Sequence, residues 1–241
     1  MPFAPAALTL LIMILDGLLD IIFPSYCVGC NIYITGGKTI CEKCFAGIKI
    51  NSGFFCGRCS ARLPVAKKIC HPDFPYILGS ASSYDDEKIK NLVRLLKFKY
   101  IKKSAEPLAD LIVRYISATN LEIKNFTVVP IPLSRKRLRE RGFNQAELIA
   151  AKIAEYFGLP LRTDILLRQK HTKPQSETKT LYERKNNVIG CFVINNSEKL
   201  LNGNILLIDD VTTSGATLLA AAEALKLCGA RKIIALTAAR A

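Results

Sequence analysis

The chain is poor in acidic residues and has no basic residue near its amino terminus. Of its 241 residues, 34 are Lys or Arg and only 20 are Asp or Glu, which gives a formal net charge of +14. No Lys or Arg precedes Lys38, so the first residues lack the positively charged region of a secretory signal. We therefore expect a reducing, cytoplasmic compartment rather than an extracellular disulfide framework.

The composition excludes several other classes of protein. Half of the residues are hydrophobic and 22% are charged, which excludes a disordered tail, a collagen-like repeat and a small disulfide-stapled protein. The length allows one domain with a large core and one small accessory module. The excess of positive charge predicts anionic partners, which include nucleic acid, phosphorylated small molecules and a membrane surface.

The first 24 residues are predicted to form an amphipathic helix. From Leu8 to Phe23 the apolar residues recur at helical spacing, while Asp16 and Asp20 lie together on another face. Two acidic residues argue against a span through the bilayer, so we expect no stable membrane insertion. A membrane anchor remains the alternative interpretation.

Residues 25–76 contain seven of the nine cysteines and are predicted to form a zinc-ribbon module. The pairs Cys27/Cys30, Cys41/Cys44 and Cys56/Cys59 each enclose two residues, and Cys70 follows alone. Two such pairs supply the four thiolates of a tetrahedral Zn²⁺ site, so the first two pairs complete one site. A redox pair or unliganded thiols are the alternatives.

The third pair and Cys70 supply only three ligands of a second site. His71 and Asp73 are the candidates for the fourth ligand, through nitrogen or oxygen. We favour Asp73, because it stands where a fourth pair would place its second cysteine and because adjacent residues such as Cys70 and His71 point in different directions.

Residues 77–241 show the alternation of strands and helices that is typical of an α/β domain with a parallel sheet. The predicted strands are 77–84, 126–133, 165–167, 191–194, 205–208 and 232–237, and the predicted helices are 87–98, 107–119, 146–157 and 216–228. In such a sheet the ligand site lies at the carboxyl ends of the strands.

The strongest motif of the chain follows the predicted strand 205–208. Two acids, Asp209 and Asp210, precede a hydroxyl-rich turn and a helix. Backbone N–H groups at the helix start would bind a phosphate, and the carboxylates would accept hydrogen bonds from a sugar diol. No Lys follows the glycine, which excludes a Walker-type loop. The alternative is a helix cap and turn without a ligand. The candidate phosphate-binding residues are Thr212, Thr213, Ser214, Gly215, Ala216 and Thr217.

Two further segments are strongly basic. The segment 134–141 carries five basic residues within seven positions, and a solvated helix start or a nucleic-acid patch is an alternative to a role in the site. Lys90, Arg94 and Lys97 share one face of the predicted helix 87–98, which suggests a track for the phosphates of single-stranded nucleic acid. Phe98 and Tyr100 lie nearby and could stack on bases. A core position for Phe98 and solvated lysines are the alternative.

Together these segments resemble the ComF family of type I phosphoribosyltransferases over nearly the whole chain. The resemblance rests on the acidic loop, Val129-Pro-Ile-Pro-Leu133, Arg141-Gly-Phe-Asn-Gln-Ala146, Gln175, Arg184 with Asn187, Gly190-Cys-Phe192, Leu96-Lys97-Phe98 and the cysteine module. The chain departs from the pattern at the unpaired Cys70, at Ser214, and in a slightly longer stretch between Gln175 and Arg184.

The resemblance implies a type I phosphoribosyltransferase fold, 5-phosphoribosyl 1-diphosphate as ligand with Mg²⁺, and transfer of the phosphoribosyl group to a nitrogen nucleophile. Asp209 and Asp210 would hold the ribose hydroxyls and stabilise charge at C1, and the loop 212–217 would hold the 5-phosphate. The polar stretch 168–185 would be a lid. The residues implied at the diphosphate and the lid are Ser134, Arg135, Lys136, Arg137, Arg141, Gln175, Arg184 and Asn187.

ComF relatives are associated with DNA uptake, which implies single-stranded DNA and DNA-uptake proteins as further partners. A protein that handles DNA or senses a ligand without catalysis, on the same fold, is therefore the alternative to an enzyme.

Overall fold

The computed structural model describes residues 24–66, 70–169, 191–195 and 203–241. The helix predicted for residues 1–24 and the lid candidates Gln175, Arg184 and Asn187 lie outside these ranges, except for residue 24 itself. Among the described helices, none has both the length and the apolar character needed to cross a membrane.

Four parallel strands form the centre of the main sheet. They are β5 (Ile77–Ser83), β6 (Phe126–Pro130), β9 (Asn204–Thr212) and β10 (Lys232–Arg240), in the spatial order β5-β10-β9-β6. In the register of the sheet, Leu236 lies beside Ile208 on one side and beside Gly79 on the other. Residues 205–208 of β9 and 233–236 of β10 are buried, as expected for strands that are covered on both faces.

Helices cover both faces of this sheet. On one face pack α2 (Glu87–Phe98), α3 (Ala105–Ala118) and α5 (Gln145–Phe157), and on the other packs α6 (Ala216–Leu227). A single 3₁₀ turn (Lys102–Ser104) leads into α3. The small antiparallel sheet of β7 (Leu166–Arg168) and β8 (Phe192–Ile194) lies on the α6 side. The architecture is that of an α/β/α sandwich, as predicted.

The cysteine-rich module extends the main sheet at its β5 edge. It contains a hairpin of β1 (Ser25–Tyr26) and β2 (Tyr33–Ile34), the short helix α1 (Glu42–Ala46), and the strands β3 (Phe54–Cys56) and β4 (Arg62–Leu63). Strand β3 pairs antiparallel with β5, so that the six-stranded order is β4-β3-β5-β10-β9-β6. The module therefore shares a sheet with the α/β part.

The two parts also share a hydrophobic core. Phe54 of β3 is buried against the ring of Tyr115 in α3, with ring centroids 5.7 Å apart. The Tyr115 hydroxyl donates a hydrogen bond to the carbonyl of Gly53 at 2.5 Å. The predicted boundary at residue 76 thus falls between two strands that pair with each other.

One helix of the structure is absent from the predicted elements. The basic segment after β6 forms α4 (Arg135–Arg141), in which the Ser134 hydroxyl accepts the N–H of Arg137 and Gly142 ends the helix with a φ of +74°. No residue of α4 is buried, so the apolar periodicity that predicts a helix is absent from its sequence.

Candidate functional site

Two adjacent carboxylates lie at the carboxyl end of β9. Oδ1 of Asp209 accepts the N–H of Asp210 at 2.9 Å, and Oδ1 of Asp210 accepts the N–H of Val211 at 2.8 Å. Asp210 is buried and Asp209 is partly buried. Because alternate residues of a strand face opposite sides of the sheet, Asp210 faces the α2 side and Asp209 faces the α6 side.

Lys97, in the last turn of α2, is the counter-ion of Asp210. Its Nζ lies 2.7 Å from Oδ2 of Asp210, whose side chain is only 6% exposed. The sequence placed Lys97 on a nucleic-acid track, but its charge is directed to the acid pair instead. A buried carboxylate without such a partner would carry a large desolvation cost.

The pKa of Asp209 lies well above that of an ordinary aspartate. Burial raises the pKa of Asp209 to about 7, the neighbouring Asp210 charge acts in the same direction, and the Lys97 ammonium opposes both. Asp209 therefore gains or loses a proton near neutral pH. A titratable group of this kind at the edge of a sheet is typical of a functional site.

The turn after the acid pair has the geometry of an anion-binding loop. Gly215 has a φ of +72° and caps the amino terminus of α6, and its carbonyl accepts the N–H of Leu219 at 2.8 Å. Thr212 is buried, Thr213 is exposed, and Ser214 and Thr217 are partly buried around the first turn of α6. Backbone N–H groups at such a helix start favour a negatively charged group.

Tyr76 is a residue of this loop region that the sequence reasoning missed. Its hydroxyl donates to the carbonyl of Gly215 at 3.4 Å, and the side chain is buried. Burial raises the pKa of Tyr76, so the phenol stays protonated and remains a donor. In the sequence, the one indication that Tyr76 belongs to the site is its position directly before strand β5.

A cleft of about 620 Å³ separates the end of β6 and α4 from β7. Arg135 and Leu138 of α4, Glu147 of α5 and Arg168 of β7 line it. Of the five basic residues of the segment, Arg141 is engaged, because its guanidinium donates to Oε1 of Gln145 at 2.9 Å. Lys136 is exposed and lies 3.9 Å from Glu140, and Arg137 is partly buried.

Arg168 lines this cleft and is influenced electrostatically by Asp209. Its guanidinium lies 5.4 Å from the centre of the Phe192 ring. Burial lowers the pKa of Arg168, while the negative fields of Cys191 and Asp209 act in the opposite direction. The field of Asp209 thus reaches the side of the sheet on which the cleft opens.

The predicted nucleic-acid track is only partly present. Lys90 is paired with Glu87 at 2.6 Å and Lys97 with Asp210, so that Arg94 is the exposed cation of the three. Phe98 is 66% exposed and Tyr100 is 51% exposed, so the alternative of a core position for Phe98 is wrong.

The first four cysteines form a compact cluster. The sulfur atoms of Cys27, Cys30, Cys41 and Cys44 all lie within 4.8 Å of one another, and those of Cys30 and Cys41 are 3.8 Å apart. Thiolates bound to tetrahedral zinc at about 2.3 Å lie roughly 3.8 Å apart, so the cluster fits a structural Zn²⁺. Burial alone would raise the pKa of the Cys27 thiol. Hydrogen bonds from backbone N–H groups outweigh this effect and bring the pKa below its ordinary value, to about 6.

The second cluster contains His71 and not Asp73. Nδ1 of His71 lies 3.2 Å from the sulfur of Cys70 and 3.4 Å from that of Cys56, and Cys59 is 3.5 Å from Cys70. Asp73 is exposed and lies outside the four-residue group. Our preference for Asp73 is therefore corrected. Nδ1 is the ring nitrogen nearest to its own backbone, so it reaches a site that the preceding residue also faces.

Comparison with known proteins agrees with both parts of this structure. Residues 101–241 match the model of the phosphoribosyl transferase domain, and residues 18–72 match that of the double zinc ribbon domain. The chain is 27% identical to competence protein F of Haemophilus influenzae over 221 residues, which cover 86% of this chain and 93% of that protein.

Two other relatives carry related names. Competence protein ComFC of Bacillus subtilis is 39% identical over 102 residues, 42% of this chain and 39% of that protein. DNA utilization protein YhgH of Salmonella typhimurium is 28% identical over 183 residues, 74% of each. With more than half of its length in the phosphoribosyl transferase domain and a double zinc ribbon before it, the chain belongs to the ComF family of phosphoribosyltransferase-domain proteins.

Proposed function

We propose that the protein binds 5-phosphoribosyl 1-diphosphate with Mg²⁺ and transfers the phosphoribosyl group to a nitrogen nucleophile. The observation that carries the proposal is the acid pair Asp209 and Asp210 directly before the left-handed Gly215 and the amino terminus of α6. One arrangement then offers acceptors for a sugar diol and donors for a phosphate within nine residues.

In the proposed complex the backbone N–H groups of residues 214–217 and the neighbouring hydroxyls hold the 5-phosphate. The ionised Asp209 and Asp210 accept hydrogen bonds from the ribose hydroxyls and stabilise positive charge that develops at C1. Arg135, Lys136 and Arg137, with Ser134, face the diphosphate. Mg²⁺ would enter with the diphosphate and would neutralise part of the leaving-group charge.

The reaction exchanges one bond at C1 for another. The C1–O bond to diphosphate breaks and the electron pair leaves with the diphosphate, while the lone pair of the nitrogen nucleophile forms the new C1–N bond. The proton of the nucleophile is released. The β7 side of the cleft, lined by Leu166, Leu167 and Arg168, is the place we propose for the nucleophile, across from Arg135.

Calorimetric titration with 5-phosphoribosyl 1-diphosphate and Mg²⁺ tests the proposal. We expect saturable binding by the wild type and its loss in Asp209→Asn/Asp210→Asn. Asp110→Asn, the same chemical change at an exposed position of α3, is the control and should bind normally. A folded, zinc-loaded wild type without binding would contradict the proposal, and binding would justify a screen of nitrogen nucleophiles for diphosphate release.

A second candidate function, handling of single-stranded DNA, is favoured by the exposed aromatic residues that follow α2. Phe98 and Tyr100 present their rings to solvent beside the exposed cations Arg94, Lys99 and Lys102. Stacking on such rings is worth about 1–3 kcal/mol per base. The names of the relatives, competence proteins and DNA utilization proteins, are compatible with this candidate.

Fluorescence anisotropy with labelled single-stranded DNA separates the two candidates. We expect binding that weakens steeply with salt, that falls in Phe98→Ala and in Arg94→Gln, and that persists in Asp209→Asn/Asp210→Asn. Absence of binding at low salt would remove this candidate.

A further inference from the structure

The knuckle of the second metal cluster packs directly on Tyr76. The cluster consists of Cys56, Cys59, Cys70 and His71, and Gly57 lies inside its Cys-x-x-Cys turn. A methyl group at Gly57 would overlap the ring of Phe74 and come within 2.8 Å of the ring of Tyr76. The two rings therefore lie against the backbone of the turn that carries two of the four ligand residues.

Tyr76 contacts the phosphate-binding loop at its other end. The buried hydroxyl donates to the carbonyl of Gly215, and a Cβ at Gly215 would lie 2.8 Å from that hydroxyl oxygen. The same carbonyl accepts the N–H of Leu219, the first hydrogen bond of α6. A shift of the Tyr76 ring would consequently move or release the residue that shapes the loop.

Backbone contacts tie the segment around Tyr76 to both ends of the cluster. Cys56 is paired with Ile77 in the sheet, one residue beyond Tyr76. On the other side, the N–H of Phe74 donates to the carbonyl of His71 at 3.1 Å, and the Phe74 and Tyr76 rings are 5.0 Å apart. The position of Tyr76 is thus set by the residues that gather at the second cluster.

Among the described residues, the knuckle of the first cluster has a different set of neighbours. Its knuckle glycine, Gly29, faces Cys44 and the stem of Lys88 rather than any residue of the loop. The difference between the two clusters provides an internal control within one chain.

We propose that Tyr76 is a positioning residue that couples the second metal cluster to the phosphate-binding loop, so that metal binding at the cluster and ligand binding at the loop strengthen each other. The effect on ligand binding, which is the ligand half of the proposal, rests on the proposed function. The structural half, which is the effect of the cluster on the loop through Tyr76, does not depend on it. Because coupling between two binding sites is reciprocal, each must change the affinity of the other by the same factor.

Hydrogen exchange of the full chain tests the structural half without any ligand. We expect Cys59→Ser, which removes a ligand of the second cluster, to speed exchange in the peptide that covers residues 213–219. Cys30→Ser, the same change in the first cluster, should leave that peptide unchanged. Equal exchange of this peptide in the two variants would overturn the proposal, whatever the outcome of the ligand titrations.

Ligand titration with two further variants tests the role of Tyr76. Tyr76→Phe keeps the ring and removes the donor, and Gly57→Ala displaces the ring while all four ligand residues remain. We expect each to weaken binding of 5-phosphoribosyl 1-diphosphate with Mg²⁺ by about three- to tenfold with zinc content unchanged, as for loss of one buried hydrogen bond. Tyr115→Phe, which removes another buried tyrosine donor, and Gly29→Ala are the matched controls.

The reciprocal measurement uses zinc itself. We expect 5-phosphoribosyl 1-diphosphate with Mg²⁺ to slow the transfer of one zinc equivalent to a chromophoric chelator in the wild type and not in Tyr76→Phe. Wild-type affinity in Tyr76→Phe, or a ligand effect that survives this change, would overturn the coupling. A wild type that binds no ligand at all would contradict the proposed function, and the exchange experiment would then decide the coupling alone.

Discussion

The ionisation of the acid pair depends on one lysine. Asp209 lies beside the buried Asp210, and burial together with the Asp210 charge raises the pKa of Asp209. Lys97 supplies the compensating charge at 2.7 Å from Asp210, which leaves Asp209 as the carboxylate whose proton is exchanged near neutral pH. The two acids therefore lie in different environments, although the sequence presents them as a matched pair.

This division predicts a pH dependence of ligand binding. If ionised Asp209 accepts the ribose hydroxyls, affinity for 5-phosphoribosyl 1-diphosphate should rise with pH through the pKa of about 7. Lys97→Met removes the charge that lowers this pKa, so the rise should move upward by roughly one pH unit or more, and Lys97→Arg should restore it. Calorimetry between pH 6 and 9, in steps of about half a unit, measures the midpoint.

The same pKa has a consequence for stability. Because the pKa of Asp209 is higher in the folded chain than the value of about 3.9 expected in the unfolded chain, the folded state binds more protons between these values. The free energy of unfolding should fall as pH rises from about 4 to 7 and then level off. Asp209→Asn should flatten this fall in the free energy of unfolding. For ligand binding, an identical pH midpoint in the wild type and in Lys97→Met would contradict the assignment of the pKa of about 7 to Asp209.

The ligands of the second metal cluster are open to a direct test. We expect two zinc ions per chain, because both groups of ligand atoms lie within 4.8 Å. His71→Ala should lose one of them, since three cysteines leave the tetrahedral site incomplete, whereas Asp73→Ala should keep both. Elemental analysis after gel filtration gives the count, and loss of zinc from the Asp73 variant alone would reverse the assignment.

Helix α4 brings positive charge to the cleft without contributing to the core. Arg135 lines the cleft, whereas Arg139 is exposed on the same helix and does not. We expect Arg135→Gln to weaken binding of inorganic diphosphate by about tenfold, the loss of one charge-assisted contact, with little change in stability because no residue of α4 is buried. Arg139→Gln is the control, and competition by diphosphate against the labelled ligand is the measurement. Equal effects of the two variants would mean that α4 acts through its overall positive charge and not through a specific contact of Arg135.

The elements that bury an apolar face were predictable from the sequence, and α4 was not. Helix α2 has the predicted limits, 87 and 98, because Asp86 caps its first turn and Ile89, Leu92, Val93 and Leu96 form one buried stripe. Strand β9 was predicted to end at Ile208 but continues to Thr212, since pairing with β10 holds the polar residues extended. The local pattern of apolar and polar residues contains no information about pairing with a distant strand.

The parts of the site that depend on distant contacts were not predictable. Lys97 is one of several lysines in a basic segment, and only the packing of α2 against the sheet turns it toward Asp210. Tyr76 and Gly215 are 139 positions apart, and no spacing relates them. The acid pair and the loop were recognised, because their residues are contiguous, while their partners were not.

The zinc ribbon has a structural role for the entire chain. Strand β5 would be an edge strand without β3, and an exposed edge is a template for aggregation. The ribbon covers that edge and shares a continuous core with α2 and α3, through residues such as Phe54 and Ile40. Metal-dependent folding of the ribbon should therefore affect the stability of the α/β part.

This arrangement predicts one cooperative unfolding transition instead of two. If residues 25–76 and 77–241 were independent, removal of zinc would abolish a small transition and leave the larger one in place. Because β3 and β5 are paired and the core is shared, we expect zinc chelation to lower the midpoint of a single transition by several degrees, at about 2–4 °C per kcal/mol for a chain of this size. Calorimetry and circular dichroism on the same samples, with and without chelator, give the measurement. Two separate transitions in the zinc-loaded chain would show that the shared sheet does not couple the parts, whereas a common shift would mean that the metal clusters stabilise the sheet that carries the acid pair.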